Sequence, residues 1–213
     1  MHTLFGFAGS GSAAAEIGLN LCGVPYRMVD AASWAPDSAL AELAAANPLG
    51  QIPTLRLPDG SVLTESAAIL IHLGLEYPGA KLLPAATAQR AQAIRGLVYI
   101  AANCYSAISV SDFPERWCAD ADDMTNDRIR RGARARLHRH WEIFADQFSQ
   151  QPYLGGPEPG ALDILAAVVS KWSGARAHLR SARPEFYATI ERIDGHPAVA
   201  PVFARHWPQS GAD

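Results

Sequence analysis

The chain has 213 residues, 49% of them hydrophobic and 18% charged, with a net charge of −3 and a pI near 6.1. That length allows one or two domains around a sizeable core, and the composition excludes a disordered chain. The slightly acidic balance excludes a general attraction for nucleic acid; no apolar run reaches membrane-spanning length and the N-terminus lacks a basic region, so a cytoplasmic protein without membrane contact is expected.

The first third alternates strand and helix patterns. "TLFGF" (3–7) reads as a strand, "AGSGS" as a loop, and "AAAEIGLNLCG" as a helix with Ala14, Ile17 and Leu21 at helical spacing and Gly23 as its stop. "YRMVDA" is a second strand and "DSALAELAAAN" a second helix ended by Asn47-Pro48. "PTLRL" and "SVLTE" flank the turn "PDG" as a β-hairpin. From Ser66 to Tyr77 an almost wholly apolar helix follows, with His72 and Glu76 marking a narrow wet face. The order is β-α-β-α-β-β-α.

"YPGAKLLPAAT" then reads as a linker, and beyond it only helical patterns persist, over about 86–110, 122–149, 161–173 and 184–193, with a final turn after "DGHPAVAP". The fold class is therefore α/β followed by all-α: residues 1–78, a linker at 79–88, and an all-helical domain at 89–213. In "ALDILAAVVSKW" Leu162, Leu165, Ala166, Val169 and Trp172 share helical spacing, so this helix belongs in the centre of the bundle. Its lone acid, Asp163, sits near the helix start, where backbone N–H groups can satisfy it, and reads as structural.

Cys22, Cys104 and Cys118 form no CxxC pair and no metal-ligand spacing, so reduced packing thiols and no bound metal are expected. In "RIRRGARARLHRH" (128–140) Arg128, Arg130, Arg131, Arg134, Arg136 and Arg139 spread over most of the helix circumference, which marks a solvated or pairing helix, with an anion-binding patch as the alternative.

This arrangement, with proline before the third strand, Glu-Ser after the fourth and a helical second domain, resembles the cytosolic glutathione transferases. The motifs that carry the resemblance are "NPLGQIPTL" (47–55), "LTESAAILIHL" (63–73), "YPGAKLLP" (77–84) and "DGHPAVAPVFARHW" (194–207). The resemblance implies a thioredoxin-like first domain that binds glutathione, a homodimer, and a detoxifying transferase that joins the glutathione thiolate to a hydrophobic electrophile. It implies a cis peptide before Pro53, with the N–H and C=O of Ile52 turned outward to the tripeptide. Ser66, at a helix start, takes the γ-glutamyl carboxylate, Glu65 lies near the ligand's α-amino group, and Gly11 and Gln51 complete the glutathione contacts.

A free thiol has a pKa of about 8.5, and lowering it by about two units takes roughly 2.7 kcal/mol. One hydroxyl hydrogen bond to the thiolate supplies about 1.5 to 3 kcal/mol, and a helix N-terminus about 0.3 to 1. The resemblance puts this donor between the first strand and first helix, where no tyrosine stands; a serine- or cysteine-type member is implied. By ungapped count the cysteine position falls on Gly11 and the serine position on Gly9, so Ser10 is the first choice of donor, Ser12 the second, and backbone amides alone the third. On the electrophile side the resemblance points to Tyr105 and Ser106. Glutathione-dependent isomerisation, peroxide reduction and a non-catalytic binding role remain alternatives on the same scaffold.

Overall fold

The computed structural model describes residues 1–35, 37–149 and 151–208 of the protein; the last five residues of the expected helical domain lie outside them. The first third runs β1 (His2–Gly6), α1 (Ser12–Leu21), β2 (Tyr26–Asp30), α2 (Leu40–Ala46), β3 (Thr54–Arg56), β4 (Val62–Thr64) and α3 (Ser66–Glu76). The strands form one sheet in the order β2-β1-β3-β4, with β2 parallel to β1, and β3 and β4 successively antiparallel. This is the thioredoxin-like arrangement that the resemblance implies.

Strand alternation divides β1 between two layers. Leu4 faces α1 and α3 in the main core with Ile17 and Leu70, while Phe5 faces the other way with Val29 and Leu43 of α2. Register then sets the location of the site. Phe5 lies opposite Thr54, and Thr54 opposite Thr64, so the end of β1, the mouth of β3 and the end of β4 meet at one edge of the sheet.

The remainder is helical: α4 (Thr87–Tyr99), a π-helical segment (Ile100–Tyr105), α5 (Ser106–Asp112), α6 (Asp123–Phe148), α7 (Ala161–Val169), α8 (Ala175–Ala182), α9 (Pro184–Asp194) and α10 (Ala200–His206). Contrary to the sequence expectation, one run does reach membrane-spanning dimensions: Thr87–Asp112 is a continuous helix of 26 residues, long and apolar enough by length and composition alone. Leu97, Ile100, Cys104, Ala107 and Ile108 on this helix are packed in the protein core.

Every residue of α7 is buried, as its apolar pattern requires, and Asp163 is structural. Its carboxylate accepts hydrogen bonds from the N–H groups of Leu154 at 2.7 Å and Gly160 at 3.0 Å. Burial pushes its pKa up to about 6 against the opposing pull of those backbone bonds. The helix stops at Val169, short of the expected 173. Ser173 and Gly174 take left-handed φ values of 54° and 75°, and Arg176 on the next helix donates to the Ala167 carbonyl at 2.7 Å. That break creates α8 and releases Trp172 from the helix.

Sheet and bundle share one core, in which Leu4 and Ile69 join Leu97, Trp141 and Leu165. A polar clasp closes the same seam. Glu16 of α1, only 5% exposed, meets Nε2 of buried His206 at 2.8 Å, the Arg205 guanidinium, and the Tyr26 hydroxyl at 3.3 Å. Burial works to raise the Glu16 pKa, but the hydrogen bonds from His206 and Arg205 outweigh it and hold the carboxyl below its ordinary value.

Candidate functional site

The Ile52–Pro53 peptide is cis, at the sheet edge where the chain enters β3. The loop before it is held by its own side chains: Asn47 Nδ2 and Thr54 Oγ1 both donate to the Gln51 carbonyl, at 3.1 and 2.7 Å. Gln51 itself is exposed, and Pro53 is buried. Among the described residues neither the N–H nor the C=O of Ile52 has a backbone or side-chain partner. A peptide group left unpaired beside an open surface is equipped to bind another peptide group.

Across the sheet, Glu65 follows β4 with φ 64° and ψ 114° and is the N-cap residue of α3, though its exposed carboxylate makes no capping bond. Ser66 is therefore the first residue inside the helix and not its cap. It is 5% exposed, and α3 has no acidic residue in its first turn to occupy the free N–H groups. The helix start is open to an external anion.

The loop between β1 and α1 shows how Ser10 and Ser12 use their hydroxyls. Ser10 Oγ donates to the Phe7 carbonyl at 2.7 Å and lies 2.8 Å from Ser12 Oγ; Ser12 Oγ lies 3.2 Å from both the Phe7 carbonyl and the Phe7 N–H, which donates to it. The Ser12 N–H donates in turn to Ser10 Oγ. Both hydroxyl protons have acceptors within the loop, and both residues are buried, at 5% and 0% exposure. The N-cap position of α1 is held by Gly11, with φ −62° and ψ −12°. Ser12 packs against the strand, close enough that a Cβ on Gly6 would stand 2.6 Å from its side chain.

The helical side contributes Tyr105. It ends the π-helical segment, whose wider turn interrupts the α-helical phase between α4 and α5; such segments often occur at functional sites. A Cβ built on Gly11 would stand 2.2 Å from the Tyr105 hydroxyl oxygen and 3.6 Å from Ser66 Oγ. The phenol thus fills the space that a side chain at residue 11 would take. Burial pushes its pKa up to about 12, the Ser66 hydroxyl acts to lower it, and the Glu65 charge adds to the rise. Ser106 is brought elsewhere: it is exposed, and its hydroxyl donates back to the Ala102 carbonyl at 2.6 Å.

Two residues that sequence reasoning did not assign to the site extend this surface. Trp172 lies 6.0 Å from the Tyr105 ring and 6.2 Å from that of Trp207, whose Nε1 comes within 3.8 Å of a Cβ built on Gly9. Both tryptophans were visible in quoted motifs, but Trp172 at helical spacing reads as core until the helix break turns it away. The cysteines stand apart from this chemistry: burial raises the pKa of Cys22 to about 11 and drives that of Cys104 still higher, so neither supplies a thiolate at neutral pH.

The family described as "Glutathione S-transferase, N-terminal domain" matches residues 12–75. Over 208 residues, 97% of this chain and 98% of the relative, the sequence is 27% identical to the GST-like protein YncG of Escherichia coli (strain K12). Over 93 residues, 44% of this chain and 43% of the relative, it is 41% identical to maleylacetoacetate isomerase of Rhizobium meliloti (strain 1021). In fold it is similar to a glutathione transferase homologue from Sulfitobacter with bound glutathione, with a TM-score of 0.81 and 23% identity over 95% of this chain and 96% of that one. Residues 12–75 thus match the N-terminal domain of the glutathione S-transferases, and the chain is similar from end to end to a GST-like protein.

Proposed function

We propose that the protein is a glutathione transferase: residues 1–78 bind glutathione at the sheet edge, and residues 89–213, across a linker at 79–88, supply the wall against which a hydrophobic electrophile docks. The observation that carries this reading is the convergence of three unsatisfied groups at one edge. Among the described residues these are the Ile52 peptide, the free carboxylate of Glu65, and the uncapped start of α3 at Ser66. They match a tripeptide in kind: peptide to peptide, carboxylate to α-ammonium, helix start to α-carboxylate. Gln51, Pro53 and Gly11 line the same binding surface.

The thiolate of the bound tripeptide then faces the N-terminus of α1, which has no acidic residue in its first turn to oppose a negative charge. The family's serine-type chemistry assigns thiol activation to Ser10 or Ser12, but the internal hydrogen bonds of both hydroxyls favour another donor. Tyr105, Trp172 and Trp207 offer a flat apolar surface for the electrophile. The protein acts as a cytoplasmic homodimer, and its work is positioning and anion stabilisation.

A second reading is glutathione-dependent isomerisation, favoured by the local likeness to maleylacetoacetate isomerase. Product analysis after incubation with glutathione and an aryl halide, and separately with a cis-enone acid, decides between them. A stable thioether from the halide supports the transferase. Free glutathione returned with an isomerised acid, and no thioether, overturns it in favour of the isomerase.

A further inference from the structure

We infer that the hydroxyl that hydrogen-bonds the glutathione sulfur is that of Tyr105, delivered by the helical domain into the space left open by Gly11. The inference rests on the glutathione-binding reading above and concerns how that same site ionises its ligand.

Three observations point this way. A Cβ on Gly11 would lie only 2.2 Å from the Tyr105 oxygen and 3.6 Å from Ser66 Oγ, so phenol, helix start and glycine surround one spot. The two serines of the loop have both of their protons accepted by Phe7 or by each other, and Ser12 is turned onto β1 against Gly6. A serine hydroxyl has one proton to give, so using it on sulfur means breaking the loop's own bonds. Among the described residues, in contrast, no carbonyl or carboxylate takes the Tyr105 proton; its polar neighbours are the Ser66 hydroxyl, within hydrogen-bonding reach, and, through space, the Glu65 charge.

The chemistry is a donation without transfer. When the bound thiol ionises, its proton leaves to solvent and the phenol keeps its own, pointing it at the sulfur. A phenol pushed up to about 12 stays protonated throughout the neutral range and so remains a donor. The sulfur also faces the N-cap of α1 at Gly11, where a missing side chain lets the backbone approach closely. Placing the hydroxyl on the helical side has a consequence for residue 11: any side chain there displaces the phenol.

The test is the ultraviolet absorbance of the bound thiolate, titrated against pH, with glutathione binding followed separately by calorimetry. In the unaltered protein the bound thiol titrates below the free value of about 8.5. Tyr105→Phe raises the bound thiol pKa by about 1 to 2 units while the tripeptide still binds. Gly11→Ala raises it in the same direction by pushing the phenol aside, and answers the question independently should Tyr105→Phe fold poorly. Ser10→Ala shifts the pKa by no more than about a few tenths of a unit, the scale of an indirect effect. If glutathione binds and neither Tyr105→Phe nor Gly11→Ala moves the pKa, or Ser10→Ala alone does, the inference is overturned and the binding reading survives. If the unaltered protein binds no glutathione, the binding reading fails and takes the inference with it.

Discussion

On the sheet side, the candidate site is made mainly of backbone: the Ile52 peptide, the turned main chain at Glu65 with its φ of 64°, and the open first turn of α3, joined by the Glu65 carboxylate and the Ser66 hydroxyl. On the helical side it is made of side chains, Tyr105, Trp172 and Trp207, carried by segments that break the regular helix, the π-helical turn before α5 and the left-handed pair after α7. In the proposed function the first side recognises a constant ligand, because peptide and carboxylate groups are the same in every molecule of the tripeptide. The second can vary without disturbing the first. On that proposal, a scaffold that separates binding from reactivity changes its electrophile by exchanging aromatic residues alone.

What keeps the two sides in register is the seam, and its polar clasp is where the comparison breaks most completely. Glu16→Ala removes the acceptor shared by His206, Arg205 and Tyr26. Arg205 reaches water and contributes little, whereas His206 is buried, so the expected loss of stability is on the order of 3 kcal/mol, read from the urea midpoint. The pH dependence has a definite sign. The folded pKa of Glu16 lies below its unfolded value, so the clasp contributes fully above the ordinary carboxylate range and is lost as pH falls through the folded pKa. The gap between the unaltered protein and Glu16→Gln therefore narrows on acidification; a gap that widened would mean that the clasp does not act through the charged carboxylate.

The sheet side alone is probed by Ser66→Ala. A hydroxyl donating to a ligand carboxylate is worth about 1.5 to 3 kcal/mol, so glutathione affinity falls about 10- to 100-fold. Because the fold keeps Ser66 inside α3 and not at its cap, this variant loses no helix-capping bond, and its stability stays close to that of the unaltered protein. Unchanged affinity by calorimetry would remove Ser66 from the binding surface.

The sheet side was also the legible one. A proline at a strand mouth, a "PDG" turn and an acid-hydroxyl pair before an apolar helix are residue types that backbone geometry itself selects, so Pro53, Glu65 and Ser66 stand out in the sequence. The helical side depends on features that periodicity does not encode. Nothing in "GLVYIAANCYSAI" announces a π-helical turn, and nothing in "VVSKWSGA" shows that Ser173 as well as Gly174 turns left-handed and frees Trp172. In the sequence Ser10 ranks ahead of Ser12 as the donor, and only the folded loop reveals that both bond Phe7. The Glu16–His206 pair is separated by 190 positions and had no local signature.

Tyr105 and Ser106 sharpen the comparison at its finest scale, since neighbours on one helix diverge by about 100° and here divide into an inward and an outward residue. Tyr105 meets Gly11, while Ser106 is exposed and returns its proton to the Ala102 carbonyl one turn back. A hydroxyl committed to its own helix in this way tends slightly to destabilise it, and alanine has the higher helix propensity. Ser106→Ala therefore leaves kcat/KM unchanged and shifts stability by no more than about 0.5 kcal/mol, toward greater stability. A large fall in turnover would show that the working helix presents Ser106 inward, and with it a rotation that would carry Tyr105 away from residue 11.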